Sequence, residues 1–145
     1  MKCPNIKTVV NKTEKLHNVY RTPTLEHMAG EANYEASLKE RGVEFKINFE
    51  KVYWCSRLQQ ERDRLLEIMR PGEVLADLFC GVGPLAVRAA KKNLYVIAND
   101  LNPFCHEYLV KNSAINKVDA KLICWNMCAR EAMRKIYFES DSLPI

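Results

Sequence analysis

The sequence predicts an α/β fold, a parallel sheet with crossover helices, preceded by a small α+β module rich in strand. Three observations predict it. From Glu73 onward, apolar runs of strand length alternate with runs of helical period, three of each, and that alternation builds a parallel sheet. The first of these strands breaks into Cys80-Gly81-Val82-Gly83-Pro84, a glycine turn that opens a helix. Before Glu73, Val43, Phe45, Ile47 and Phe49 alternate with polar residues, the period of a half-buried strand in a mostly antiparallel sheet.

In chain order, Ile6 to Val10 reads as a strand and Asn11-Lys12 as the start of a turn. Residues 13–19 are polar and without period. Val19-Tyr20-Arg21 is a short extended piece, because Pro23 disfavours helix at Thr22. Leu25 to Ala29 is a second strand ended by Gly30, and Arg41-Gly42 is the turn before residues 43–49. These pieces make a first module over residues 1–56. The second module, residues 57–145, opens with a helix from Arg57 to Met69. Leu58, Leu65 and Met69 share one face of it. Glu61 sits near the edge of that apolar stripe, where desolvation can raise a carboxylate pKa; on the residues alone the favoured alternative is an ordinary solvated glutamate of the first turn. Pro71-Gly72 stops the helix. The strand over 74–79 suits burial on both faces. Pro84 is a good first residue for a helix over 84–91. Then come a strand at 94–98, a helix over 104–114 with Asn102 as N-cap, a strand at 121–125 and a helix over 129–136. Residues 140–145 show no strong element.

The glycine turn and the residues after it carry the chemistry. Glycine accepts positive φ and has no Cβ, so the turn is tight and a ligand can approach its backbone. The helix behind it aims the positive end of its dipole at an anionic group. Asp100, at the end of the next strand and 23 residues after Asp77, is placed to accept hydrogen bonds from ribose hydroxyls. Ala86 satisfies the third position of G-x-G-x-x-G/A, so spacing alone leaves a nicotinamide dinucleotide open. Asp77 alternatively caps the turn.

Composition sets the remaining bounds. The chain has 145 residues, 48% hydrophobic and 28% charged, with a net charge of +4. That is one ordinary globular domain with a mild bias toward polyanionic partners. No run approaches the length of a membrane span, and Met1 to Asn5 lack the apolar core of a signal peptide. Six cysteines, 3, 55, 80, 105, 124 and 128, include no C-x-x-C pair. They read as reduced thiols in an intracellular protein, with no metal site.

Several stretches together resemble one family, the tRNA guanine-37 N1-methyltransferases of archaeal and eukaryotic type. They are Asn11-Lys12, Val19-Tyr20-Arg21, Leu25 to Glu31, Val52-Tyr53-Trp54-Cys55-Ser56-Arg57-Leu58-Gln59-Gln60-Glu61-Arg62, Asp77-Leu78-Phe79-Cys80-Gly81-Val82-Gly83-Pro84, and Asn99-Asp100-Leu101-Asn102-Pro103. The resemblance implies a Rossmann-like methyltransferase sheet, S-adenosylmethionine as cofactor and a tRNA with guanine at position 37 as partner. It implies Glu61 as the base that removes the N1 proton, Arg21 as the cation that meets the charge developing at O6, and Tyr53 as a wall of the guanine pocket. It places Asp77 and Phe79, Cys80, Gly81, Val82, Gly83 and Pro84 at the methionine part of the cofactor. Asp100 falls at the ribose hydroxyls, Leu101 and Asn102 are further cofactor-binding residues, and Cys128 stands at the position that approaches the adenine. The implied protein is a monomer without membrane attachment, in the cytoplasm, with the mitochondrial matrix and nucleus as further compartments.

This sequence departs from the family in three places. Asn126-Met127-Cys128-Ala129-Arg130 stands where relatives have Asn-x-Asp-Gly-Arg, and a thiol accepts the adenine amino proton poorly. The small N-terminal domain and the Asn-Pro-Pro segment of relatives do not occur in these 145 residues. The 145 residues alone are therefore expected to transfer little or no methyl. The wybutosine-pathway aminocarboxypropyl transferase, with the same cofactor and a similar fold, ranks second. A non-catalytic paralogue that holds cofactor or RNA is a further alternative.

Overall fold

The computed structural model describes residues 6–13, 18–139 and 142. Cys3, the N-terminal residues read for a leader, residues 14–17 and the tail apart from Ser142 lie outside them.

The first module is two separate hairpins rather than one sheet. β1 (Thr8–Lys12) pairs antiparallel with β2 (Leu25–Gly30), with a register shift between Val9 and Val10. Asn11-Lys12, expected to turn, ends β1: the Asn11 side-chain amide donates across the pair to Glu26 Oε2 at 3.3 Å. Val19-Tyr20, expected extended, is a turn. Asn18 closes it, accepting from the Thr22 N–H at 2.9 Å and donating to the Thr22 carbonyl at 2.8 Å.

β3 (Glu35–Glu40) and β4 (Val43–Asn48) form the second hairpin. Arg41 at φ 49° and Gly42 at φ 81° make its two-residue turn, with the positive φ pair that matches strand twist. β3 escapes the sequence pattern because Ala36, Leu38 and Glu40 form its inward face, and a small residue and a carboxylate hide the alternation. β4 reads as predicted, with Val43, Phe45 and Ile47 buried.

α1 (Gln59–Ile68) follows a short 3-10 turn at Ser56–Leu58. Its buried residues are Arg62 and Leu66, while Leu58 is 48% exposed. The expected Leu58–Leu65–Met69 stripe is thus rotated. The cause is Glu40, which draws Arg62 inward with bonds of 3.0 and 2.6 Å to its two oxygens.

β5 (Val74–Asp77), β6 (Tyr95–Asn99) and β7 (Leu122–Trp125) form the predicted parallel sheet, and their order in it is β5-β6-β7. α2 (Ala86–Lys91) and α3 (Pro103–Ile115) pack on it, and α4 (Ala129–Glu139) follows β7. β5 is covered on one face rather than both, with Val74, 51% exposed, and Ala76 on the open face. One hydrophobic core joins the modules: Phe45, Ile47 and Val52 meet Val87, Val96, Ala98 and Leu109. Each large apolar side chain buried there contributes about 1.5–3 kcal/mol.

Polar side chains of α3 complete the junction. Asn112 accepts from the Lys46 N–H at 2.8 Å and donates to the carbonyls of Lys46 and Val82 at 3.1 and 3.0 Å. Asn116 accepts from the Glu44 N–H and donates to the Glu44 carbonyl. The two amides act as the missing neighbour strand for β4, whose edge would otherwise bury unpaired backbone groups.

Candidate active site

The parallel register brings Asp77, Asn99 and Trp125 to one edge of the sheet, the side where open α/β sheets bind ligands. Asn99 fastens the three strand ends. Its fully buried amide donates to the carbonyls of Leu78 and Met127 at 3.1 and 3.0 Å and accepts from the Met127 N–H at 3.1 Å. Sequence reasoning gave Asn99 no role, although an Asn ending an apolar strand is a usable signal. Asn126 ties the loop after β7 to the carbonyls of Asp100 and Leu101.

Asp100 is fixed by backbone. One oxygen accepts from the Gly81 N–H at 2.8 Å, the other from the Asn102 N–H at 2.9 Å. The neighbouring turn amides are also committed: Cys80 N–H donates to the Asn99 carbonyl and Gly83 N–H to the Cys80 carbonyl. α2 begins at Ala86, two residues after Pro84, and has six residues. The expected cradle for an anionic group at a helix N-terminus is therefore not built. The anion that the Gly81 N–H meets is the chain's own Asp100.

Two adjoining cavities open beside this turn. One of about 640 Å³ is lined by Arg21, Tyr53, Phe79, Gly81, Asp100 and Leu101, together with Tyr20, Leu58 and Cys105. The other, about 330 Å³, is lined by Glu61, Asp77, Cys80, Val82 and Pro84 among others, and shares Tyr53, Leu58, Phe79 and Gly81 with the first. Volumes of this size suit a small-molecule ligand. A Cβ built on Gly81 meets nothing within 4 Å, so a ligand can lie on that backbone. Burial pushes the Asp77 carboxyl up to about 6, opposed by the Phe79 N–H and reinforced by Asp100. Two neighbouring carboxylates fit a cationic ligand such as a sulfonium. The pyrophosphate of a dinucleotide would meet them in place of free N–H groups.

Arg21 reaches its cavity from a strained backbone, φ 53°, in the loop closed by Asn18. Tyr53 is the wall common to both cavities, and a hydrogen bond with the Cys55 thiol pushes the pKa of the Tyr53 hydroxyl up. Glu61 lines the second cavity, and its hydrogen bonding outweighs the small desolvation it meets there. Arg64 grips it at 2.7 and 2.8 Å, and that hydrogen bonding holds its carboxyl below the ordinary glutamate range. The raised pKa expected at the edge of an apolar stripe is thus reversed, because the rotation of α1 leaves Glu61 on the open side.

Three residues expected at the cofactor line neither cavity. Gly83 is a packing glycine: a Cβ there would stand 2.6 Å from Leu109 Cδ1 and 3.0 Å from Val87 Cγ2. Asn102 is 1% exposed and caps α3 by accepting from the Phe104 N–H. The Cys128 carbonyl accepts the first N–H groups of α4, from Glu131 and Ala132. Among the thiols, burial pushes Cys105 up to about 12 and Cys124 to about 11, values of inert packing groups. Among the described residues no cluster of three or more His, Cys, Asp or Glu is placed to hold a metal ion, and no helix is long and apolar enough to cross a membrane.

Sheet, crevice and paired carboxylates define a domain of the Rossmann-like methyltransferase class. The model of the TRM5/TYW2 methyltransferase domain matches residues 36–140, and the chain belongs to that family. It is similar to the tRNA (guanine(37)-N(1))-methyltransferase of Paramecium tetraurelia, at 50% identity over 139 residues, covering 92% of this chain and 33% of that protein. It is similar to aTrm5 as solved in complex with tRNALeu, with a TM-score of 0.81 and 33% identity, over 86% of this chain and 37% of that one. Similarity to P. horikoshii TYW2, solved in complex with MeSAdo, is lower: TM-score 0.69 and 28% identity, over 74% of this chain and 40% of that one. The chain spans about a third or less of the length of the curated relatives it matches.

Proposed function

We propose that residues 1–56 and 57–145 are two modules of an enzyme that transfers a methyl group from S-adenosylmethionine to N1 of guanine 37 in tRNA. The observation that carries this reading is the convergence of Arg21, Tyr53 and Asp100 on one cavity, with Glu61 in the space adjoining it. The names of the similar proteins support the substrate, and the MeSAdo-bound relative supports the cofactor. Greater identity and TM-score toward aTrm5 than toward TYW2 favour methyl transfer over aminocarboxypropyl transfer. Free thiols at the five described cysteines support an intracellular setting. The enzyme acts there as a monomer, in the cytoplasm or an organelle of the same redox state.

The residues divide the work as follows. S-adenosylmethionine supplies a methyl group on a cationic sulfur. Asp100 accepts from the ribose hydroxyls with the lone pairs left by Gly81 and Asn102, and Asp77 offsets the positive charge beside the turn. The Gly81 backbone and Phe79 form the floor, and Leu101 the side. Tyr53 walls the guanine. Glu61, released from Arg64, takes the N1 proton, and Arg21 stabilises the negative charge that then spreads toward O6.

The test is methyl incorporation into unmodified tRNA with guanine or adenine at position 37, using a chain extended through its reading frame. Guanine-dependent transfer, slowed about 10²–10⁴-fold by Glu61→Gln, supports the reading. Transfer indifferent to the base, or an aminocarboxypropyl product, overturns it.

A further inference from the structure

Beside the larger cavity, two side chains from different modules meet on the surface. The Lys51 ammonium lies 4.7 Å from the centroid of the Phe104 ring. Phe104 is 38% exposed and lies in the chain between Leu101 and Cys105, both of which line the cavity. Asn102 braces the pair from beneath. Its amide donates to the Lys51 carbonyl at 2.8 Å and accepts from the Phe104 N–H at 3.0 Å, while its own N–H donates to Asp100. One buried side chain therefore positions Lys51, Phe104 and Asp100 together. Among the described residues Lys51 makes no ion pair, and Glu107, which feels its charge, is already held by Lys111 at 2.5 Å.

The occupant follows from the chemistry. N1 of guanine lies on its pairing edge, so a base methylated there must be unpaired and drawn from its stack. Its neighbours in the strand then need a new surface. A partly exposed aromatic ring suits one unstacked base, and the ammonium now over it, which is in no ion pair among the described residues, can swing from the ring to the phosphate of that base. On the proposed function, we infer that Phe104 and Lys51 form a subsite for the nucleotide adjacent to the target guanine, Phe104 stacking its base and Lys51 meeting its phosphate.

The experiment is a binding cycle between protein and RNA. The chain, saturated with S-adenosylmethionine, is titrated by fluorescence anisotropy with a labelled stem-loop RNA carrying an unpaired guanine in its loop. Two further RNAs replace the nucleotide on the 5′ or the 3′ side of that guanine with an abasic residue, and a fourth replaces the guanine by adenine. Phe104→Ala should weaken binding of the intact RNA about 5–100-fold, and Phe104→Tyr should restore it. Against one of the two abasic RNAs, Phe104→Ala should change nothing. Lys51→Ala should reduce the slope of log affinity against log salt by about 0.7. Unchanged cofactor affinity shows that the variants are folded. If guanine is preferred but Phe104→Ala weakens intact and abasic RNAs alike, or weakens none, the subsite is wrong and the proposed function stands. If the unaltered chain binds no stem-loop, or binds the guanine and adenine forms equally, the proposed substrate fails and the subsite with it.

Discussion

The Asp100 carboxylate joins the loop after β6 to the loop after β5 by accepting the Gly81 N–H at 2.8 Å. With its second oxygen on the Asn102 N–H, the side chain is held before any ligand arrives, which lowers the cost of ordering it on binding. Asp100→Ala leaves two backbone donors without their acceptor. It should lower folding stability by about 1–3 kcal/mol and S-adenosylmethionine binding by about 1.5–3 kcal/mol. Asp100→Asn, which keeps one acceptor, should recover part of both. Denaturant unfolding and calorimetry measure the two quantities; full cofactor affinity in Asp100→Ala would move the ribose contact elsewhere.

The two glycines of the turn should respond in opposite ways. Gly81 has φ 57° and open space around its missing Cβ, whereas the missing Cβ of Gly83 would press on Leu109 and Val87. Gly81→Ala should cost about 1–2 kcal/mol of stability from the left-handed backbone and should cut cofactor affinity further by filling the cavity floor. Gly83→Ala adds overpacking of about 1–3 kcal/mol to a similar backbone cost. A melting temperature lowered more by Gly81→Ala than by Gly83→Ala would reverse the two roles.

Asp77 gives the fold a pH dependence of definite sign. Its carboxyl is raised by burial to about 6, above the ordinary aspartate value near 3.9. The folded state therefore holds the proton more tightly than the unfolded chain. The stability this contributes is fully present below about pH 4 and is lost as pH rises through about 6. Asp77→Asn should raise stability at pH 8 by about 1–3 kcal/mol, have little effect near pH 3.5, and weaken binding of the cationic cofactor. Urea titrations at the two pH values check it, and equal effects at both would show that Asp77 is not desolvated.

The alternation of strand and helix after Glu73 was legible because each strand is a short apolar run and each helix has its own stop. β3 was not, because its inward face carries Glu40, and a carboxylate reads as solvated until Arg62 and Arg88 are brought to it. The same ion cluster turned α1 away from its apparent apolar stripe, so Glu61 lines a cavity beside the turn but sits in the solvated setting rather than the desolvated one. Arg21, Tyr53 and Asp100 were found by resemblance to ordered motifs. Their shared cavity depends on a loop geometry, Arg21 at positive φ, that no periodicity encodes. Asn102 and Gly83 sit inside a ligand-binding motif but face protein, a distinction that spacing cannot make.

That ion cluster makes a further prediction. Glu40, 3% exposed, takes Arg62 on both oxygens and Arg88 on one, and Arg88 continues to Asp63, which also holds Arg41. Glu40→Ala leaves two guanidinium groups facing each other with little water, which should cost about 3–5 kcal/mol. Replacing Glu40, Arg62 and Arg88 together by apolar residues of matched volume should cost far less, because the three buried charges leave together and Asp63, which is less buried, keeps Arg41. Chemical denaturation of the single and triple variants decides it. A mild Glu40→Ala would mean that water reaches the cluster.

The last prediction concerns the hold of Arg64 on Glu61. The pair is bidentate, but both side chains are more than half exposed, and exposed pairs add little to stability. Arg64→Ala should therefore leave the melting temperature nearly unchanged. Its effect is on protonation: Arg64 holds the Glu61 carboxyl below its ordinary range, and removing it lets the carboxyl return toward that range. In the extended chain, methyl transfer requires Glu61 unprotonated on the proposed mechanism. With tRNA below saturation the single-turnover rate reports the free protein, in which Arg64 still holds Glu61, so its acid limb should lie below the ordinary glutamate range in the unaltered protein and move to higher pH in Arg64→Ala. Glu61→Gln should remove the limb together with most of the rate. Carbon-detected NMR of the Glu61 carboxyl follows the same titration in the 145-residue chain without any turnover. A limb unmoved by Arg64→Ala, beside a carboxyl that does move in the NMR titration, would assign the proton transfer to a group other than Glu61.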